Sequence, residues 1–116
     1  MKKTVVFDFD GVIHSYTSGW QGKTIIPDPP VHGIDSTICK LREEGYEVVI
    51  VSARSDSEDG RLAIKEWLNK YGITVDKISS TKPPALVYVD DRAICFNGNT
   101  AMLFDEIKNF KPWNKK

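Results

Sequence analysis

The chain has 116 residues, 16 Lys and Arg against 16 Asp and Glu, 41% hydrophobic and 28% charged residues, which is the size and balance of one ordinary globular domain. Two independent domains do not fit, and a domain of this length buries enough surface to fold without disulfides or structural metal. Zero formal net charge argues against holding nucleic acid or an anionic membrane by bulk electrostatics, which needs clustered, uncompensated Lys and Arg.

Met1-Lys2-Lys3 gives a basic opening, but the apolar run that follows stops at Asp8, short of a signal-peptide core. No stretch is long and apolar enough to span a bilayer. Cys39 and Cys95 form no C-x-x-C pair and read as core or near-surface thiols of a reducing compartment, so a cytoplasmic protein is expected. Val5-Val6-Phe7, continuing through Phe9 to Gly11, predicts a buried first strand. Residues 12–30 are rich in Gly, Ser, Thr and Pro and predict a loop or small flap, with a turn at Trp20-Gln21-Gly22 and a stiff end at Pro27-Asp28-Pro29-Pro30.

Ile34, Ile38 and Leu41 fall at helical spacing and Gly45 closes that helix. Glu47 to Val51 is a second buried strand. Ile64, Trp67, Leu68 and Tyr71 mark a second helix closed by Gly72. Ile73 to Ser79 predicts a third strand, Thr81-Lys82-Pro83-Pro84 a rigid loop, Ala85 to Val89 a fourth strand and Ile94-Cys95-Phe96 a short fifth. Leu103, Ile107 and Phe110 mark a last helix, and Trp67, Phe104 and Phe110 are expected in the core. The tail, residues 111–116, reads as a frayed, solvated end. Strands alternating with helices predict a single doubly wound, Rossmann-like α/β domain, a parallel sheet with helices on both faces.

In such a sheet the ligand site lies beyond the carboxyl ends of the strands. The unusual polar groups gather there: Asp8-Phe9-Asp10-Gly11 after the first strand, Ser52 after the second, Lys82 after the third and Asp90-Asp91-Arg92 after the fourth. Alternation lets Asp8 and Asp10 face one site while Phe9 turns into the core. Carboxylates this close repel by several kcal/mol, which a hard divalent cation or a lysine must offset. Oxygen-only ligands point to Mg²⁺ and disfavour zinc. A carboxylate nucleophile, Mg²⁺, a hydroxyl and a lysine suit phosphoryl transfer, which needs an in-line nucleophile, charge neutralisation and a proton donor for the leaving alkoxide.

Asp8-Phe9-Asp10-Gly11-Val12, Val49-Ile50-Val51-Ser52, Lys82 and Val87-Tyr88-Val89-Asp90-Asp91 resemble, in order, the four motifs of the haloacid dehalogenase-like (HAD) hydrolases. The resemblance spans Val5 to about Phe96 and implies a phosphatase-type member. On it, Asp8 is the nucleophile that becomes phosphorylated and also ligates Mg²⁺, and Asp10 is the general acid/base with its backbone carbonyl on the metal. Ser52 bonds the phosphoryl oxygens, and Lys82 holds the nucleophile and phosphate charge. Asp91 is the expected direct ligand, with Asp90 behind it. Gly11, Ala53, Arg54 and Arg92 complete the expected substrate-binding set, the two arginines as bidentate phosphate donors.

The 41 residues between Asp10 and Ser52 and the 29 between Ser52 and Lys82 are used up by one helix, one strand and a loop each, so no cap domain fits. A capless site is open to a phosphate on a bulky molecule, or a second subunit completes the pocket around a small one. His14 reads most simply as a solvated loop residue, and Tyr16 and Trp20 as flap anchors rather than a stacking surface. Two alternatives stand beside a phosphomonoester hydrolase. One is a regulatory module that accepts phosphate at Asp8 or holds Mg²⁺ without turnover. The other is a nucleotide or polynucleotide-end phosphatase, suggested by Asp90-Asp91-Arg92 and the flap aromatics.

Overall fold

The computed structural model describes residues 3–114. Four strands, β1 (Thr4–Asp8), β2 (Glu47–Val51), β3 (Lys77–Ser79) and β4 (Val87–Val89), form an all-parallel sheet in the order β3-β2-β1-β4. Helices α1 (Ile34–Glu43), α2 (Glu58–Lys70) and α3 (Leu103–Lys108) accompany them, with a 3-10 turn at Ala53–Asp56. This is a single α/β domain of Rossmann-like type. No helix among the described residues is long and apolar enough to cross a membrane.

Strand alternation builds the core. Val5 and Phe7 of β1 and Val48 and Ile50 of β2 point to one face, where Ile38 of α1 and Ile64, Trp67 and Leu68 of α2 meet them. Each such large side chain contributes about 1.5–3 kcal/mol by leaving water. The helix stops fall where the glycines predict: Gly45 and Gly72 adopt left-handed φ of 89° and 68°, and the amides of Tyr46 and Ile73 return to Leu41 O and Leu68 O. Helix α2 is capped by Ser57, whose hydroxyl accepts the Gly60 amide. A Cβ on Gly60 would lie 1.8 Å from the Arg54 carbonyl oxygen, so only glycine lets α2 sit against the turn that carries Arg54.

Residues 12–30 contain no helix or strand beyond isolated bridges from His14 to Asp10 and Pro30. The expected fifth strand at Ile94–Phe96 is absent. Only four residues separate Val89 from Ile94, too few for the crossover a parallel neighbour of β4 requires. Asx turns flank the segment instead, with Asp90 Oδ1 accepting the Arg92 amide and Asn97 Oδ1 the Asn99 amide. Trp67 is buried as expected, but Phe104 is 74% exposed and Phe110 is also exposed. The stripe of α3 is real, but α3 buries no residue. Cys39 and Cys95 are both exposed free thiols.

Candidate active site

β1 has β2 on one side and β4 on the other, so the chain reverses its direction of travel across the sheet between β1 and β4. That reversal opens a crevice at the carboxyl ends of the two strands. Asp8 closes β1, and Asp90 and Asp91 follow β4, which is registered so that Phe7 faces Val89. One carboxylate oxygen from each of Asp8, Asp90 and Asp91 lies within 4.8 Å of the others. The three acids can hold a metal ion. Asp91 Oδ1 is buried, and no donor among the described residues reaches it.

Burial pushes the Asp8 carboxyl up from its ordinary 3.8 to about 8, reinforced by a hydrogen bond shared with Asp91 and by the charges of Asp90 and Asp91. The Phe9 amide opposes this weakly. Three crowded acids with an orphaned carboxylate oxygen among them fit a hard divalent ion with oxygen ligands. In the metal-free protein Asp8 keeps a proton between pH 4 and about 8 that the unfolded chain has lost. Folding stability should therefore fall as pH rises through that window, its Asp8 contribution fully present only below the ordinary value. Added Mg²⁺ should reverse the loss with proton release, its apparent affinity rising about tenfold per pH unit below 8. Thermal melts and calorimetry across pH, with and without Mg²⁺, check this; a flat profile would remove the acid cluster as the metal site.

Gly11 explains how Asp91 comes so close. It has φ 86°, and a Cβ there would stand 2.2 Å from Asp91 Oδ2. Gly11→Ala must move that carboxylate, so Mg²⁺ affinity should drop by at least about tenfold, measured by calorimetry. On its other side the Gly11 carbonyl accepts Trp113 Nε1–H at 2.7 Å. The chain is thus docked at Trp113 rather than frayed there, its indole N–H bonded to the Gly11 carbonyl while the residue stays half exposed. Lys115 and Lys116 of the expected tail lie outside the described residues.

Asp10 does not join the three acids through its side chain. Arg54 crosses from the turn after β2 and donates from Nε to both Asp10 oxygens at 3.2 and 3.0 Å, and from Nη2 to Oδ1 at 3.1 Å. Its Nη1 donates to the carbonyls of Gly22, Lys23 and Ile25 at 2.7, 2.9 and 3.1 Å. Trp20 lies 4.7 Å from the guanidinium carbon. Arg54 is 0% exposed. Every nitrogen of its guanidinium is engaged by Asp10 or the flap, a geometry that positions both.

His14, expected as a solvated loop residue, is also fully buried. Its Nδ1 lies 2.8 Å from Asp10 Oδ1, and its Nε2 accepts the Asp28 amide at 3.1 Å, which assigns the ring proton to Nδ1 and makes His14 a donor to Asp10. The ring stacks on Phe9 and meets Trp67 edge-on. Trp67 Nε1 in turn holds the Asp28 carbonyl. The hydroxyl of Ser18 keeps the Asp28 carboxyl below the usual carboxylate range despite burial, and the Ser18 amide adds to this. The flap is therefore fastened from below by a polar network. The H at four residues after Asp10 was the available signal, but a lone histidine carries no period.

Ser52 caps the 3-10 turn, its Oγ accepting the Arg54 amide at 3.1 Å; an oxygen that accepts one bond still has its own proton to donate. Ala53 follows it, exposed. Lys82 shares a small cleft with Asp8, Val51 and Asp90, with its ammonium 3.8 Å from Asp90 Oδ2. Arg92 is exposed and lines an apolar groove with Ile94, Phe96 and Ile107 rather than the acid cluster. The structure thus brings Asp8, Asp90, Asp91 and Lys82 together, ties Asp10 to Arg54 and His14, and leaves Arg92 apart.

No family model and no curated protein matches the chain. Solved structures share its fold. A crystallised target protein from Vibrio cholerae is 25% identical over 79% of this chain and 82% of its own, with a TM-score of 0.53. A chain in the structure of the Pnkp1/Rnl/Hen1 complex is 16% identical, with 99% of this chain matched to 37% of that one at a TM-score of 0.58. A second structure, described as the Pnkp1/Rnl/Hen1 RNA repair complex, gives 18% identity over 92% of this chain and 32% of that chain, TM-score 0.55. The chain spans about a third of those two. Its fold is thus related to that of a component of a multi-protein complex.

Proposed function

We propose that the chain is a Mg²⁺-dependent phosphohydrolase of phosphomonoesters, of the HAD type its motifs resemble. The observation that carries this reading is the cluster of Asp8, Asp90 and Asp91 in the crevice between β1 and β4. Asp8, Asp90 and Asp91 would hold the metal, with Asp10 contributing at most its backbone carbonyl, since its carboxylate is engaged by Arg54 and His14. When bound, Mg²⁺ offsets the charge of the acids and of the phosphoryl oxygens.

In the first displacement an Asp8 oxygen attacks phosphorus, the ester P–O bond breaks and the leaving alkoxide takes a proton from water, because the Asp10 carboxylate is occupied in accepting from Arg54 and His14. In the second, Asp10 takes a proton from water whose oxygen attacks phosphorus, and phosphate leaves Asp8. Ser52 and Lys82 would bind the transferred phosphoryl oxygens, and the backbone at Gly11 and Ala53 would border it. Arg54 would act as a positioning residue, holding Asp10 and the flap through its guanidinium.

Phosphate release from a panel of nucleotides, sugar phosphates, a phosphopeptide and a 3′-phosphorylated oligonucleotide, with and without Mg²⁺, tests the reading. Metal-dependent turnover of at least one is expected; a folded protein that binds Mg²⁺ and turns over none overturns it in favour of a phosphate-accepting module. A narrower reading, a phosphate at a polynucleotide end, is favoured by the RNA repair complex in which two structural neighbours sit. Preference for the oligonucleotide over free nucleotides would select it.

A further inference from the structure

The two edges of the sheet are built differently. Edge strand β3 begins with Lys77, a charge of the kind that protects exposed strands from pairing. Edge strand β4 lies in the run Ala85-Leu86-Val87-Tyr88-Val89, without a charge, a proline or a bulge. Registered parallel neighbours share a face, so Val87 and Val89 sit on the face of Val5 and Phe7, and Tyr88 on that of Val6. All three are exposed, so neither face of the sheet is fully covered at this edge, although the Lys82 ammonium lies over the Tyr88 ring. Parallel sheets are normally covered on both.

The Leu86 amide bonds Thr4 O, towards β1. By alternation the N–H and C=O of Val87 and Val89 point outward, a row without a partner among the described residues. After β4 the chain passes through residues 90–93 to a second apolar surface, the groove formed by Arg92, Ile94, Phe96, Leu103, Ile107 and Phe110. Nine large apolar side chains between residues 86 and 110 are 36–74% exposed. At an order of 150–200 Å² each they leave about 800 Å² of apolar side-chain surface in total, near the share one partner gives to a standard interface.

We propose that this edge is the seam of a homodimer, in which β4 pairs antiparallel with β4 of a second copy across a two-fold axis. A strand edge facing itself is self-complementary, as an isologous interface requires, and a formal net charge of zero leaves no bulk repulsion between copies. The joined sheets would run continuously, with the apolar segment 94–110 buried in the same interface. Pairing on both sides would also steady the strand that carries Asp90 and Asp91. The proposal stands whether or not the site hydrolyses phosphate, because its test contains no substrate.

Sedimentation equilibrium of the full chain at micromolar concentrations should give the mass of two chains. Val87→Pro removes an outward N–H without touching the β1 ladder and should give one chain, whereas Leu62→Glu on exposed α2 should remain a dimer. In the wild type, amide exchange at Val87 and Val89 should be slowed like that of the central ladder. The exchange measurement decides the matter even where Val87→Pro fails to fold. A monomeric wild type overturns the proposal, including one that captures a different protein, and so does a dimer in which the Val87 and Val89 amides exchange freely.

Discussion

Asp8→Asn abolishes phosphate release, by at least about a thousandfold, while making the metal-free protein more stable at pH 8. The two effects have one cause. Asp8 sits half-buried against Asp91 and Asp90, in surroundings that hold its carboxyl up near 8. An asparagine of the same shape cannot ionise and can donate a hydrogen bond to Asp91, so repulsion that opposes folding disappears together with the nucleophile. The gain is greatest above pH 8, where the wild-type acid is charged, and vanishes well below pH 4, where both side chains are neutral. Mg²⁺ then stabilises the variant less than the wild type, because one of three anionic ligands is gone. Parallel melts and phosphate assays check this. A variant that still turns over at the wild-type rate removes Asp8 as nucleophile, and one that melts lower at pH 8 removes the electrostatic account of the cluster. Trapping of a phosphoenzyme by the wild type, with decay faster than minutes, separates hydrolysis from a regulatory phosphoacceptor.

What the sequence made legible was local or carried by position in a known layout. β2 occupies the predicted Glu47–Val51, since a run of β-branched residues between a helix-stopping glycine and a serine has few other solutions. The strand-end acids converge because parallel strands must deliver their carboxyl ends to one edge. The misses share a different origin. Arg54 and Asp10 are 44 positions apart, and their pairing depends on the path of a flap that has no periodicity to read. His14 reads as a loop residue on every local criterion and is buried only because Phe9, Trp67 and Asp28 close around it. Phe104 shows the reverse error. Its stripe predicts burial against something, but no sequence pattern says whether that surface belongs to the same chain.

Arg54→Met is expected to lose about 3–5 kcal/mol of stability, a fall in melting temperature of roughly 10–20 °C, and about a hundredfold in kcat. Methionine keeps the length of the stem and removes the guanidinium. Asp10 is then left with His14 as its remaining partner, and the carbonyls of Gly22, Lys23 and Ile25 lose their shared donor. A buried carboxylate without its ion-pair partner costs far more than a surface pair gives back. The catalytic loss follows from orientation: Asp10 must present a carboxylate oxygen to the attacking water, and a carboxylate free to rotate does so in a fraction of encounters. Arg54→Lys separates charge from geometry, since an ammonium restores the charge but cannot span the Asp10 carboxylate and three carbonyls at once. Its melting temperature should lie between the other two, with kcat closer to that of Arg54→Met. Because every guanidinium nitrogen of Arg54 is engaged by the protein, KM should change little in either variant when assayed below the melting range. A large rise in KM with kcat preserved would make Arg54 a substrate-binding group instead, and a variant matching the wild type in both melting and kcat would leave the clamp without a function.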